Sequence, residues 1–511
     1  MAAGAVHPVL TSQHGGAPAS PVALIARNAP LVIVGEALPL AAAVLAMPVL
    51  AASLGVDRLG VLSLAWVVIG YFSLFDLGIG RAVTRLVAAR LADGRPGEVP
   101  PLVASALALL LALGCAGGVL LAVLSPWLVD RALQVPDALR GEARIAFLVL
   151  AASVPLVVLA SGLRGVLEAE RRFATLAVLR IALGMISFLG PLLVLPLSRS
   201  LVAVVLVLAV GRVVLLVVTA ALARHVLVWP RRGQCADRDT LRELLHFGGW
   251  LTVTNVVSPL LVLLDRFVVG AIVSVGAVAY YATPLEVVQR TGVIPVAIGT
   301  VVFPAIAAAA VSALPEARAL LSVALRASLA GIFPLLFVLA LWAPQGLELW
   351  LGEGFARESI VVVRWVTPAL LLNSLGCAAL FALQAAGRPD LPGRFHLMEL
   401  VLYVPLLWWL ASRLGLEGAA IAWSARVAID AALLLAAAAA RFALGTRVLA
   451  PVLATAAAGL ALLVLAQWVG GTTAKAVATL AVPVAYLGGC FAGLLTRDER
   501  TAVRRLVRRG H

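Results

Sequence analysis

The sequence predicts an all-α polytopic membrane protein, with about 14 transmembrane helices in two six-helix lobes plus two C-terminal helices. Three observations predict this class. Of the 511 residues, 63% are hydrophobic and only 13% are charged. The mean hydropathy of +1.08 lies outside the range of a soluble globular chain. The apolar residues also fall into stretches of about 20, the length of helix that crosses the hydrocarbon core of a bilayer.

These apolar stretches follow one another through most of the chain, separated by short polar connections. Each is long enough to cross a membrane as a helix. The predicted spans are 28–54, 59–88, 101–128, 145–166, 174–197, 200–227, 247–274, 277–308, 319–343, 359–386, 393–413, 416–440, 447–469 and 474–495.

Basic residues are distributed unequally between alternate connections, and this predicts the orientation. One set of connections, with the C-terminal tail, holds most of the arginines. The other set holds only Arg58, Arg131, Arg140, Arg144, Arg199, Arg357, Arg413 and Lys475. Because cytoplasmic connections carry the excess of basic residues, we expect both termini to be cytoplasmic.

The longest charged connection, 229–246, divides the chain into two lobes. A weak internal sequence similarity supports the division, because Gly60 in LGVDRLGVLSLA corresponds to Gly276 in AIVSVGAVAYYA. This internal similarity indicates either a parallel repeat or a coincidence. The predicted parts are an N-terminal cytoplasmic tail (1–27), an N-lobe (28–228), the cytoplasmic linker (229–246), a C-lobe (247–442), two further spans (443–496) and a basic cytoplasmic tail (497–511).

Composition and motifs exclude several function classes. The net charge of +14 would suggest nucleic acid for a soluble protein, but here it reflects topology and contact with anionic lipid, and no nucleic-acid partner is expected. The four cysteines are far apart and lack metal-ligand spacing, so neither a disulfide framework nor a metal site is expected. No Walker A sequence or nucleophile motif is present. We therefore expect no cofactor and no enzymatic activity.

Charged residues inside the spans are the candidates for function, because an ion in the bilayer costs at least about 2.5 to 3.5 kcal/mol. Glu286 and Arg290 are four residues apart on one helical face, so they could neutralise each other. They also lie in a polar run from Tyr280 to Gln289, which favours water access and a role in transport. Both interpretations remain open.

Two further sets of charges pose the same question. Arg426 and Asp430 are also four residues apart, and self-neutralisation is the favoured interpretation for this pair. Asp265 and Arg266 are adjacent and point about 100° apart on a helix, so one geometry cannot satisfy both by each other. Such residues usually face a partner, a water-filled cavity or a substrate.

Several segments resemble bacterial lipid-linked oligosaccharide flippases, the polysaccharide or O-antigen type within the multidrug/oligosaccharidyl-lipid/polysaccharide exporter superfamily. The resemblance is most specific over 247–304, which includes DRFVVGAIVSVGAVAYYATPLEVVQR and VIPVAIGTVVFPAIA. Supporting segments are FDLGIGRAVTRLVA (75–88), SGLRGVLEAERRFA (161–174), LWLGEGFA (349–356) and the region 385–434.

The resemblance implies a carrier in the bacterial inner membrane that moves an undecaprenyl-pyrophosphate-linked oligosaccharide from the inner to the outer leaflet. It implies a cationic cavity between the lobes, for which the candidate substrate-binding residues are Arg81, Arg85, Arg266, Arg290 and Arg364. The candidates for ion coupling are Asp265, Glu286 and Glu36. Expected partners are the lipid-linked oligosaccharide, membrane lipids, a polysaccharide polymerase and other export proteins.

Two alternatives remain beside this hypothesis. A multidrug or cation antiporter of the same superfamily would need an anionic cavity, whereas the mid-membrane charges show a slight basic excess. A polytopic glycosyltransferase would need catalytic acids in an external loop, and no predicted external loop is longer than roughly 20 residues.

Overall fold

The computed structural model describes residues 38–39, 41–71, 76, 78–170, 172–224, 261, 263–312 and 314–493. In these residues every regular element is a helix, which confirms the all-α class. Helices suit these apolar segments because a membrane offers the backbone no water for hydrogen bonding. Ten helices of the described ranges are long and apolar enough to cross a membrane; the count of fourteen stays a prediction. The two tails and the linker 229–246 lie outside the described residues.

Seven described helices fall within the predicted N-lobe. They are α1 (Ala41–Leu54), α2 (Val56–Tyr71), α3 (Ile79–Ala92), α4 (Val99–Trp127), α5 (Asp137–Ala169), α6 (Phe173–Val194) and α7 (Leu201–Arg224). The second predicted span, 59–88, is divided between α2 and α3. Gly78 before α3 has a φ of 75°, which glycine adopts without strain, and its N–H donates to Asp76 Oδ1 at 2.8 Å.

The described helices of the predicted C-lobe are α8 (263–272), α9 (Val275–Gln289), α10 (Val293–Ser312), α11 (Leu314–Leu351), α12 (Glu353–Ala385) and α13 (Asp390–Phe442). A short 3₁₀ turn, Arg290–Gly292, joins α9 to α10. Gly415, with φ 61° and ψ −132°, breaks α13 into two helices that coincide with the predicted spans 393–413 and 416–440. Helix α12 is central and packs against α9, α10, α11 and α13.

Two C-terminal helices, α14 (Thr446–Ala466) and α15 (Thr472–Gly493), pack against α11. Lys475 at the start of α15 is buried. Its ammonium donates to the Leu341 carbonyl at 2.8 Å and to Gln345 Oε1 at 2.9 Å. These bonds fasten α15 to α11 and satisfy a charge that would otherwise be costly to bury.

The most extensive described contact between the lobes is the crossing of α2 and α9 near their N-terminal ends. A Cβ added to Gly60 would lie 1.8 Å from the Val275 carbonyl oxygen, and one added to Gly276 would lie 2.7 Å from an Asp57 carboxylate oxygen. The absence of side chains at both glycines therefore permits the crossing. These are the two glycines that correspond in the internal sequence similarity, and each of them contacts the lobe to which it does not belong.

The connection between α4 and α5 reinforces this contact. The Gln134 backbone N–H donates to the Gly270 carbonyl at 2.9 Å. Its side-chain amide donates to the carbonyls of Ala271 at 3.1 Å and Ile272 at 3.0 Å. Gln134 belongs to a connection that the sequence assigns to the outer side, and Gly270, Ala271 and Ile272 form the adjoining end of α8. The lobes are thus held together at the predicted outer end, which we call the outer closure.

Arg58 and Glu142 tie together the N-lobe helices beside the outer closure. The Arg58 guanidinium donates to both Glu142 carboxylate oxygens at 3.1 and 3.0 Å, and the Leu201 N–H donates to Glu142 at 3.1 Å. The hydrogen bonds to Glu142 raise the pKa of Arg58 above its ordinary value. One carboxylate therefore joins the starts of α2, α5 and α7.

Candidate functional site

Asp265 and Arg266 on α8 form the centre of a buried charge network in the C-lobe. Both residues are fully enclosed, with 0% and 1% of their surface exposed. Asp265 Oδ2 accepts a hydrogen bond from the Tyr281 hydroxyl at 2.7 Å, and Oδ1 accepts from the Arg266 backbone N–H at 2.8 Å. As expected from their adjacent positions, the two side chains find separate partners on α9.

Glu286 on α9 is the partner of Arg266. The Arg266 Nη2 atom lies 2.6 Å from Glu286 Oε1, and the Arg290 Nη2 atom lies 3.7 Å from Glu286 Oε2. One carboxylate is thus shared by two guanidinium groups. Glu286 and Arg290 contact each other, as the self-neutralising interpretation required. The shorter contact of Glu286, however, is with Arg266 on α8.

This chain of charges runs from the interior to an open surface. The Arg266 side chain is 2% exposed, whereas those of Glu286 and Arg290 are 47% and 42% exposed. Among the described residues, the buried Arg266 Nη1 atom has no hydrogen-bond partner. The Arg266 guanidinium therefore keeps unused donor capacity within the described network.

A second set of charges lies on α13, and here the self-neutralising interpretation is wrong. Arg426 Nη1 lies 3.6 Å from Glu399 Oε2, and His396 Nε2 lies 3.5 Å from Asp430 Oδ1. In the described residues Arg426 and Asp430 form no ion pair with each other. Each finds its partner on the preceding helical segment of α13, because the two segments pack side by side after the break at Gly415.

The two sets of charges belong to one network. Arg426 lies over the Tyr403 ring, 5.4 Å from its centroid, a favourable cation–π distance. Arg426 also lies near enough to Asp265 to interact with it electrostatically. His396 and Glu399 were missed as site candidates from sequence, although their spacing of three residues places both on one face of the preceding segment.

The network contains nearly balanced charge. Its acids are Asp265, Glu286, Glu399 and Asp430, and its permanent bases are Arg266, Arg290 and Arg426. A slight basic excess is therefore absent from this described cluster. Arg290 and Glu286 lie at the open side of the network, while the Arg266 guanidinium and the carboxylates of Asp265 and Glu399 are buried.

The other candidates named from the sequence lie elsewhere. Arg364 on α12 is exposed, its backbone carbonyl accepts a hydrogen bond from Gln467 at 3.1 Å, and its guanidinium makes no contact with the described network. Glu36 lies outside the described residues. Arg81 and Arg85 are on α3, and their side chains lie outside the described part of the structure.

Helix α3 nevertheless lies close to further arginines of the N-lobe. Gly165 of α5 packs so tightly on α3 that an added Cβ would lie 2.4 Å from the Gly80 carbonyl oxygen. The neighbouring Arg164 interacts electrostatically with Asp76 and with Arg180. This crossing brings the backbone of Arg81 close to that of Arg164.

The fold and the buried charges define a polytopic α-helical membrane protein of the transporter type. Residues 25–310 match the family model described as "Polysaccharide biosynthesis protein". The chain belongs to this family, which confirms the resemblance seen in the sequence. A protein of Shigella flexneri named "Putative O-antigen transporter" is 30% identical over 383 residues, covering 75% of this chain and 90% of that protein.

Solved structures share the fold. The lipid II flippase MurJ, in an inward closed conformation, matches with a TM-score of 0.70 at 13% identity, covering 91% of this chain and 98% of that one. An inward-facing multidrug resistance transporter of the MATE family matches with a TM-score of 0.69 at 16% identity, covering 80% and 98%. The chain is thus a multi-pass membrane protein of the polysaccharide biosynthesis family with a MATE/MurJ-like fold.

Proposed function

We propose that the protein moves undecaprenyl-pyrophosphate-linked oligosaccharides from the inner to the outer leaflet of a bacterial inner membrane, with both termini in the cytoplasm. The oligosaccharides would serve a cell-surface polysaccharide such as O-antigen, capsule or exopolysaccharide. The relationship to an O-antigen transporter supports the cargo class. Among structural features, the shared contact of Arg266 and Arg290 with Glu286 carries the proposal.

The pyrophosphate of the cargo competes with Glu286 for these two arginines. Arginine suits this role because its planar donors match phosphate oxygens. Arg81 and Arg85 on α3 attract the pyrophosphate from the cytoplasmic side. When the cargo binds Arg290 and the spare donor of Arg266, Glu286 loses its partners and becomes available to take up a coupling ion, with Asp265 behind it and Glu36 as a further candidate.

Alternating access supplies the movement. The outer closure keeps the predicted outer end shut, and the α2–α9 crossing must separate for release to the outer leaflet. Because Gly276 lies on α9 ten residues before Glu286, the helix that carries the shared carboxylate also carries the closure. Loss of the Arg266–Glu286 contact would therefore act on α9 directly.

The protein acts in this scheme as a carrier without catalysing sugar transfer. A polysaccharide polymerase and other export proteins would receive the cargo on the outer side. The second candidate function is a drug or cation antiporter, favoured by the shared fold of a MATE transporter and by the four acids of the C-lobe network. The family match and the O-antigen relative favour the flippase.

Deletion of the gene distinguishes these functions. The flippase hypothesis predicts that the complete lipid-linked oligosaccharide accumulates and stays protected from membrane-impermeant periodate in intact cells, while surface polysaccharide is lost. Complementation with the wild-type chain should restore both. An incomplete oligosaccharide on the carrier would indicate a glycosyltransferase instead. Normal surface polysaccharide with increased drug sensitivity would indicate the antiporter.

A further inference from the structure

Arg364 is an exposed arginine within a membrane-spanning helix, and the charge network does not use it. It lies about three turns after the start of α12. Its guanidinium makes no ion pair or hydrogen bond in the described part of the chain, unlike Arg357 on the same helix, which binds Glu353 at 2.7 Å. An arginine in this setting needs an anionic partner or water.

The face of α12 that carries Arg364 is turned away from the lobe interface. Ser359 on α12 donates to the Tyr280 carbonyl of α9 at 3.0 Å, which identifies the side facing α9. Arg364 follows five residues later, a rotation of about 140°. Since α9 contacts the N-lobe, Arg364 points toward the lipid-facing side of the C-lobe and away from any cavity between the lobes.

Neighbouring residues fix the backbone at this position. Gln467, just after α14, donates to the Arg364 carbonyl at 3.1 Å, and Ser424 of α13 donates to the Trp365 carbonyl at 2.9 Å. The Trp365 indole N–H donates to Glu417 Oε1 at 3.1 Å. Three residues from two neighbouring elements, α13 and the end of α14, therefore hold α12 at a point where a charged side chain and an indole ring are exposed.

Tryptophan rings mark this level as the membrane interface. Exposed tryptophans lie on the surrounding elements: Trp365 at 42%, Trp408 at 55%, Trp409 at 57% and Trp468 at 82%. Indole rings concentrate where hydrocarbon meets the headgroups, and a long arginine side chain extends toward the same level. A phosphate there would lie within reach of the Arg364 donors.

We propose that Arg364, with Trp365 as a wall and Gln467 as the residue that positions its backbone, binds the phosphodiester of an anionic phospholipid on the lipid-facing side of the C-lobe. A phosphodiester fits because the guanidinium can donate to two of its oxygens at once. The occupant is a resident membrane lipid rather than the cargo, because this face does not border the other lobe. The proposal is independent of the transport function.

Native mass spectrometry of the purified full chain tests the site, with phosphatidylglycerol as the probe and phosphatidylcholine as the neutral comparison. The wild-type protein should bind phosphatidylglycerol more tightly than phosphatidylcholine. Arg364→Gln should weaken phosphatidylglycerol binding about tenfold, since it removes a charge-assisted bidentate contact. Arg364→Lys should recover part of the loss because it keeps the charge without the planar fork. Size-exclusion chromatography checks that each variant is folded.

Arg357→Gln is the matched control, because Arg357 lies on the same helix and is already paired with Glu353. It should bind phosphatidylglycerol like the wild type. The proposal is overturned by equal binding of the two lipids, by an unchanged Arg364→Gln, or by an equal loss in Arg357→Gln. Displacement of phosphatidylglycerol from Arg364 by an equimolar amount of undecaprenyl pyrophosphate would assign the site to the cargo and also overturn it. None of these binding measurements requires that the protein transport a substrate.

Discussion

Arg266 and Glu286 are 2.6 Å apart, yet their side chains lie in different surroundings. Arg266 is 2% exposed and Glu286 is 47% exposed. Glu286 also has Arg290 within 3.7 Å, whereas Asp265 is already bound by Tyr281. The two members of this ion pair therefore depend on each other unequally. Removal of the Glu286 carboxylate would leave the buried Arg266 guanidinium unpaired, which costs more free energy than removal of Arg266.

Glu286→Ala should destabilise the protein far more than Arg290→Ala. The first change leaves a fully buried guanidinium without its partner, at a cost of about 3 to 5 kcal/mol. The second removes a partly exposed charge from a long contact, for which about 1 kcal/mol or less is expected. Thermal unfolding of both purified variants in the same detergent measures the difference. Equal melting temperatures would show that Arg266 does not depend on Glu286.

Exchange of the charges in Glu286→Arg with Arg290→Glu tests which partner matters. If the pair only neutralises itself, the exchanged protein should accumulate and export normally, because the i,i+4 spacing is kept. With Arg266 against position 286, the exchange instead brings two guanidinium groups together. We expect poor accumulation and no export, measured by membrane immunoblot and surface polysaccharide. Normal values in both assays would reduce the pair to a structural role.

Tyr281→Phe should destabilise the protein by about 1 to 3 kcal/mol, because it removes a hydrogen bond to a fully buried carboxylate. The adjacent Tyr280 offers a matched control. Its ring packs edge-on against Phe355 at a centroid distance of 4.8 Å, and Tyr280→Phe keeps that contact. Thermal unfolding should therefore show a decrease only for Tyr281→Phe. Equal decreases would mean that the hydroxyl of Tyr281 contributes little.

Gly60→Ala should weaken the outer closure, since its Cβ would overlap the Val275 carbonyl oxygen. Gly141→Ala is the control, because an added Cβ there meets no atom within 4 Å. Cysteines introduced at Gln134 and Ile272, in a chain lacking its four native cysteines, report closure through disulfide formation. The yield should fall for Gly60→Ala and stay unchanged for Gly141→Ala. An unchanged yield in both would show that the crossing tolerates a side chain.

Cys235, in the linker outside the described residues, tests the predicted orientation. With Cys115, Cys377 and Cys490 replaced, a membrane-impermeant thiol reagent should leave Cys235 unlabelled in intact cells and should label it after permeabilisation. The reason is the excess of basic residues on the side that carries this linker. Labelling in intact cells would reverse the orientation and, with it, the proposed direction of transport.

The helices were predictable because the length of apolar sequence is a local property. The predicted span 101–128 coincides with α4, and the span 319–343 lies within the longer helix α11. The division of 59–88 was missed, since it depends on the backbone conformation at Gly78 and the contact with Asp76. The correspondence of Gly60 and Gly276 could be seen in the sequence, but their contacts with the opposite lobe could be seen only in the folded structure.

The candidate site was predictable only in part, because partners of buried charges come from distant residues. Sequence spacing correctly indicated that Asp265 and Arg266 could not satisfy each other, yet it could not name Tyr281 and Glu286 as their partners. For Arg426, the residue four positions away was chosen, whereas Glu399 on the neighbouring segment is the actual contact. Local periodicity shows which residues share a face, and tertiary packing decides which of them meet.

Lys475 is the single lysine among the 511 residues, and its amine is buried against Leu341 and Gln345. A lysine-specific protease therefore has one cleavage site, and the folded protein conceals it. Because proteolysis follows the transient opening of a site, cutting at this residue measures how often α15 separates from α11. The chain thus contains a natural reporter for the attachment of its last helix, readable as a single band on a gel.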